Sequence, residues 1–129
     1  MHGLESLRNQ SQSMICNSII SQVDITDLSR SKIAEHLAVS TPKEKVVLID
    51  AFAGAGGNTI AFAKSGRWKR VYAIEKNPAV LACAKHNAKV YGVETGITWF
   101  EGDCFEILKN QLKDLGPYSV VFASPPWGG

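Results

Sequence analysis

The stretch Asp50-Ala51-Phe52-Ala53-Gly54-Ala55-Gly56-Gly57-Asn58-Thr59 concentrates residue types that suit ligand binding. Glycines at 54, 56 and 57 let the chain turn sharply and bring backbone amides against a ligand. A dinucleotide fingerprint would put its last glycine at position 59, where this chain has Thr. Asp50 sits just before the turn. Its carboxylate would repel a pyrophosphate but suits a ligand with an ammonium group and no phosphates. S-adenosylmethionine meets that description. Asp50, Phe52, Gly54, Gly56, Asn58 and Thr59 are therefore candidate contacts for it. The plainer alternative is a tight turn with a helix-capping carboxylate.

Two further acidic positions extend the pattern. Glu75 lies 25 residues after Asp50, and a carboxylate there can accept both ribose hydroxyls of a nucleoside. Lys76 and Asn77 follow it and are candidates for the adenine edge. Asp103, in Gly102-Asp103-Cys104, can accept a hydrogen bond from an adenine amine, and the Cys104 amide can meet a ring nitrogen. Glu75 and Asp103 also precede predicted helices, where either could act as a cap. Cys104 has no base beside it in sequence and reads as a small apolar wall.

The fourth candidate segment is Ser124-Pro125-Pro126-Trp127. Two prolines stiffen the chain and leave their carbonyls without local amide partners. Such a carbonyl and the Ser124 hydroxyl can accept hydrogen bonds from an amine on a base, and Trp127 can stack on that base, best if it is positively charged. Methyl transfer from a sulfonium needs positioning above all, so no metal and no covalent nucleophile are required. The competing reading is a proline turn plugged by Trp.

The elements that must hold these groups can be read from the periodicity. Residues 27–39 are predicted helical, with Ile33, Leu37 and Leu28 on one face and Asp27 or Ser29 as cap. Residues 46–49 form a β-branched run without alternation, the mark of a strand covered on both faces. A helix over 58–64, a strand over 70–75 and a helix from Asn77-Pro78 follow, then a strand over 97–100, a helix over 104–115 and a strand over 120–123. The last helix is expected to bury Phe105, Ile107, Leu108 and Leu112. Alternating strands and helices demand a parallel α/β sheet with right-handed crossovers, which binds ligands beyond the C-terminal strand ends. All four candidate segments fall there.

At 129 residues, 45% apolar and 20% charged, the chain fits one small domain. A net charge of +2 permits a nucleic-acid partner without arguing for one. Lys43, Lys45, Lys64, Arg67, Lys69 and Arg70 could meet RNA phosphates or could be ordinary solvated surface. The three cysteines match no zinc spacing, and a reducing compartment is their simplest reading. No apolar run approaches a membrane span, and the N-terminus lacks a signal-peptide pattern. Residues 1–26, rich in Ser, Gln and Asn, are expected to form a flexible extension ahead of a domain over 27–129.

Residues 47–59, together with the terminal Ser124-Pro125-Pro126-Trp127-Gly128-Gly129, resemble the trimethylguanosine synthase family. Lys32-Ile33-Ala34-Glu35-His36-Leu37-Ala38, Asn87-Ala88 and Tyr91-Gly92 extend the likeness. The resemblance implies a Rossmann-like, class I S-adenosylmethionine-dependent methyltransferase fold. It implies transfer of methyl groups to the exocyclic N2 of the 7-methylguanosine cap of small nuclear and nucleolar RNAs, giving the 2,2,7-trimethyl cap and S-adenosylhomocysteine. A nuclear location, ribonucleoprotein partners and a monomeric full-length protein come with it. It makes Asp50, Gly54, Thr59, Glu75 and Asp103 donor-binding positions, Ser124 and Pro125 the amine-orienting pair, and Trp127 the stacking residue. Ser29 stands where the family usually has Thr near the methionine end of the donor. Glu75 replaces a frequent Asp, and Ala53 a frequent Cys. The family continues with further strands, so this chain is expected to hold the N-terminal half of the parallel sheet. The alternatives are an amino-methyltransferase acting on an internal RNA or DNA base, and a nucleoside-binding remnant without catalysis.

Overall fold

A computed structural model describes residues 28–124. The elements run α1 (Leu28–Ser40), β1 (Val47–Asp50), α2 (Gly57–Lys64), β2 (Arg70–Glu75), α3 (Pro78–Val90), β3 (Ile97–Glu101), α4 (Cys104–Asn110) and β4 (Ser119–Phe122). Short 3-10 segments cover Glu94–Gly96 and Lys113–Tyr118. The strands form one sheet in the order β3-β2-β1-β4, every pairing parallel.

The continuous β-branched run of β1 has its explanation here. β1 is hydrogen-bonded on both edges and buried at all four positions. One face packs Leu48, Val71 and Ala73 against Ile60 and Phe62 of α2. The other packs Val47, Ile49 and Ile74 against Ile107 and Leu112. Phe62, Leu48, Ile49, Ile60 and Ile74 are almost fully enclosed, and each such burial is worth roughly 1.5–3 kcal/mol.

Strand starts and ends fall within a residue or so of the sequence expectation, but three details differ. Ile33 faces solvent, and Ala34 with Leu37 makes the contact of α1 instead. The helix expected over 104–115 stops at Asn110, and the chain tightens into the 3-10 segment that carries Gly116 and Pro117. Phe105, expected in the core, is 72% exposed. The buried stripe of α4 runs through Cys104 and Ile107, and Phe105 lies off it.

The register brings the strand ends level. Asp50 pairs with Ala73 and Phe122, and Glu75 pairs with Glu101. Backbone bonds just past the strands continue the alignment: Ala53 N–H donates to the Ile74 carbonyl at 2.9 Å, and Gly102 N–H to the Glu75 carbonyl at 3.1 Å. Three loops are thereby stitched side by side before any side chain acts.

Candidate active site

Beyond the C-terminal strand ends lies a cavity of about 480 Å³. Its wall comes from the glycine turn (Phe52, Gly54 and Asn58), from Glu75 and Lys76 after β2, from Asp103 and Cys104 after β3, and from Ser124 after β4. Four segments far apart in sequence thus share one space.

Glu75 organises the turn. Its Oε1 accepts from the Gly54 amide at 3.0 Å and its Oε2 accepts from the Asn77 amide at 2.9 Å. Gly54 has φ of +56°, and Gly56 has φ of +95°. The backbone therefore curls back toward β2 in a way L side chains resist. Asp103 caps α4 through one oxygen only. Oδ1 accepts from the Phe105 and Glu106 amides at 3.0 and 3.2 Å, which leaves Oδ2 for a ligand. The capping and ligand-binding readings are compatible at both carboxylates.

Several candidates stand behind the cavity and do not line it. Asp50 is 1% exposed, with Oδ2 accepting from the Thr59 hydroxyl at 2.6 Å and Oδ1 from the Phe52 amide at 3.3 Å. Burial raises its pKa from the usual 3.8 to about 6, against the lowering effect of the Thr59 and Phe52 bonds; the charge of Glu75 adds to the rise. The expectation of a carboxylate facing a ligand ammonium is corrected accordingly. Asp50 and Thr59 tie the start of α2 to the end of β1, and hold the turn from below. Asn77 is likewise a cap: its Oδ1 accepts from the Ala79 and Val80 amides at 3.0 and 3.3 Å, and it does not line the cavity. Gly56 packs against α3, where a Cβ would come within 3.3 Å of the Ala84 Cβ. Cys104 is buried in the wall, and its thiol pKa is raised by desolvation and then by Asp103.

Ser124 closes the described part of the wall. Pro125, Pro126, Trp127 and the side chain of Ser29 lie outside the described residues. Sequence reasoning missed Ile74 of β2 and two lining residues on helices, Arg30 on α1 and Phe105 on α4. Neither belongs to a motif. An apolar residue one position off the buried stripe of α4 was the only signal for Phe105.

The cavity suits a nucleoside-bearing donor. It has one carboxylate at the end of β2, flanked on one side by the glycine turn after β1 and on the other by a second carboxylate, with a spare oxygen, after β3. No group of three or more His, Cys, Asp or Glu among the described residues is placed to hold a metal ion. No helix among them is long and apolar enough to cross a membrane.

Comparison with known proteins decides the family. The profile of the RNA cap guanine-N2 methyltransferase family matches residues 45–129. This chain belongs to that family. Trimethylguanosine synthase of Schizosaccharomyces pombe is 41% identical over 102 residues, covering 74% of this chain and 41% of that protein. Its counterpart from Saccharomyces cerevisiae is 37% identical over 82 residues, covering 64% of this chain and 25% of that protein. The chain therefore spans between a quarter and two fifths of the curated relatives' length. Among solved structures, an RNA methyltransferase from Salinibacter ruber in complex with S-adenosyl-L-homocysteine superposes with a TM-score of 0.54 at 24% identity, over 76% of this chain and 75% of that one. That likeness places the sheet among class I S-adenosylmethionine-dependent methyltransferase folds. The cap-methyltransferase match covers all four strands and every cavity segment except Arg30.

Proposed function

We propose that this chain forms the donor-binding part of an enzyme that methylates the exocyclic N2 of a 7-methylguanosine RNA cap, producing the 2,2,7-trimethylguanosine cap. The observation that carries the reading is the shared cavity. Glycine turn, Glu75, Asp103 and Ser124 line one space within the stretch matched to the family.

S-adenosylmethionine, when bound, supplies an activated methyl group on a sulfonium. The residues of the chain need only bind and orient. Glu75 accepts the ribose hydroxyls while its bonds to Gly54 and Asn77 keep it fixed. Asp103 Oδ2 accepts from the adenine amine, and Cys104 and Phe105 supply apolar surface beside it. Ser124 accepts from the guanine amine and keeps its lone pair turned toward the donor. Pro125 and Trp127 take the roles implied by the resemblance, a rigid acceptor carbonyl and a stacking face for the cationic base. Small nuclear and nucleolar RNAs are the proposed substrates and the nucleus the proposed location.

The test is methyl transfer by the whole protein from labelled S-adenosylmethionine to three versions of one RNA: 7-methylguanosine-capped, guanosine-capped and uncapped. Label should enter only the first, as N2-methylated cap after nuclease digestion. Label within the uncapped RNA would point to an internal base. Donor binding without transfer to any of the three would leave a nucleoside-binding protein.

A further inference from the structure

The end of the sheet opposite the cavity holds a second concave surface, a shallow groove of about 540 Å³. It is built from the four strand starts: Val46 at β1, Lys69 and Arg70 at β2, Thr95 before β3, and Tyr118 before β4, with Tyr72 in its wall. Among the described residues no carboxylate lines it; Glu44 and Glu94 are close in sequence but absent from the wall.

The structure sorts five of the six cations clustered around the first half of the chain. Three are engaged in the fold. Arg67 stacks on Trp68 at 4.4 Å and donates to the Ala38, Thr41 and Pro42 carbonyls. Lys64 lies over the Tyr91 ring at 5.2 Å. Lys45 donates to the Pro117 carbonyl at 2.9 Å and so holds the segment that ends in Tyr118. Two face the groove. Arg70 donates from Nη1 to the Thr95 carbonyl at 2.7 Å, which orients its guanidinium and leaves further donors. Lys69 has no side-chain partner among the described residues. Tyr118 exposes 57% of its surface beside them.

A basic groove with an exposed aromatic ring is the combination that takes single-stranded nucleic acid: cations on the phosphates and a base on the ring. We propose that this groove binds single-stranded RNA, with Lys69 and Arg70 on the backbone and Tyr118 stacked on a base. The choice of RNA rests on the function proposed above. Arg70 and Glu75 are five strand rises apart, roughly 17 Å at about 3.3 Å per residue. The groove therefore serves the body of a transcript, and the cavity serves its 5′ end.

The probe is an uncapped 20-nucleotide single-stranded RNA, titrated by fluorescence anisotropy at several salt concentrations against the full chain. Lys69→Gln should make the slope of log affinity against log salt shallower by about 0.7, the value of one lost phosphate contact on a single strand. Tyr118→Ala should weaken binding at least about fivefold, the lower end of a lost base–aromatic stack. Lys85→Gln, an equally simple charge loss on an exposed position of α3, is the control and should change neither. The proposal is overturned if Lys69→Gln behaves like Lys85→Gln, or if Tyr118→Ala binds like the parent. Because the RNA carries no cap, a failure of cap methylation leaves this result standing, and a failure here leaves the cofactor cavity untouched.

Discussion

Asp50 shows how one buried carboxylate can serve a site that it does not line. With its pKa raised from 3.8 to about 6 by burial, the folded state holds the proton more tightly than the unfolded chain. The stability this contributes is complete below about pH 4 and is lost as pH rises through 6. The gap amounts to roughly 3 kcal/mol. Asp50→Asn keeps an acceptor for Thr59 but cannot ionise. Thermal unfolding followed from pH 4 to 7 should show the parent losing ground to the variant as pH rises. Parallel curves for the two would refute the assignment. Thr59→Val acts in the other direction. It removes the strongest bond that favours the ionised form, so at pH 8 it should cost about 1–3 kcal/mol in urea unfolding, the penalty of an abandoned buried partner. Glu75 belongs to the ligand side of the same loop. Glu75→Ala removes charge-assisted bonds of about 1.5–3 kcal/mol each. Titration calorimetry should therefore show at least tenfold weaker S-adenosylmethionine binding; an unchanged affinity would remove Glu75 from the donor site.

At the scale of elements, the glycine turn separates two demands that look identical in sequence. Gly54 and Gly56 both have positive φ, but a Cβ on Gly54 meets nothing within 4 Å, whereas one on Gly56 meets Ala84 of α3. Gly54→Ala should cost about 1–2 kcal/mol, the price of the left-handed backbone alone. Gly56→Ala, with φ further from the left-handed minimum and a neighbour to displace, should cost distinctly more in the same unfolding assay. Equal costs would mean that α3 yields without strain. The strands themselves were legible because β1 is a solid apolar run and each strand end is punctuated by Gly, Pro, Asn or Asp. That punctuation alone places four segments at one end of the sheet. What could not be read was direction. Asp50 precedes the turn by sequence, but a strand covered on both faces leaves open whether its carboxylate looks into the cavity or under it, and the bonds from Thr59 and Phe52 decide that. Phe105 and Arg30 escaped notice for a related reason. Each sits on a helix whose buried stripe is short, so hydrophobic pattern alone does not say which exposed side chain borders a cavity.

At the scale of the whole molecule, the sheet is a spacer with a different concavity at each end. Three parallel pairings and two packed faces join the strand starts to the strand ends, and close-packed interiors of this kind transmit a shift only where an element has two arrangements. The Glu75–Gly54 and Asp103–Phe105 bonds fix the cavity end, and the Lys45–Pro117 and Arg70–Thr95 bonds fix the groove end. Neither set shares a residue with the other. Occupation of one end should therefore leave the other's affinity unaltered. S-adenosylmethionine affinity measured with and without a saturating uncapped 20-nucleotide RNA should agree within about twofold, a coupling below about 0.5 kcal/mol. By the reciprocity of linkage, the RNA affinity should be equally indifferent to the donor. A tenfold change in either would mean that the strands move as a two-state body, and that the sheet relays the transcript's arrival to the donor site.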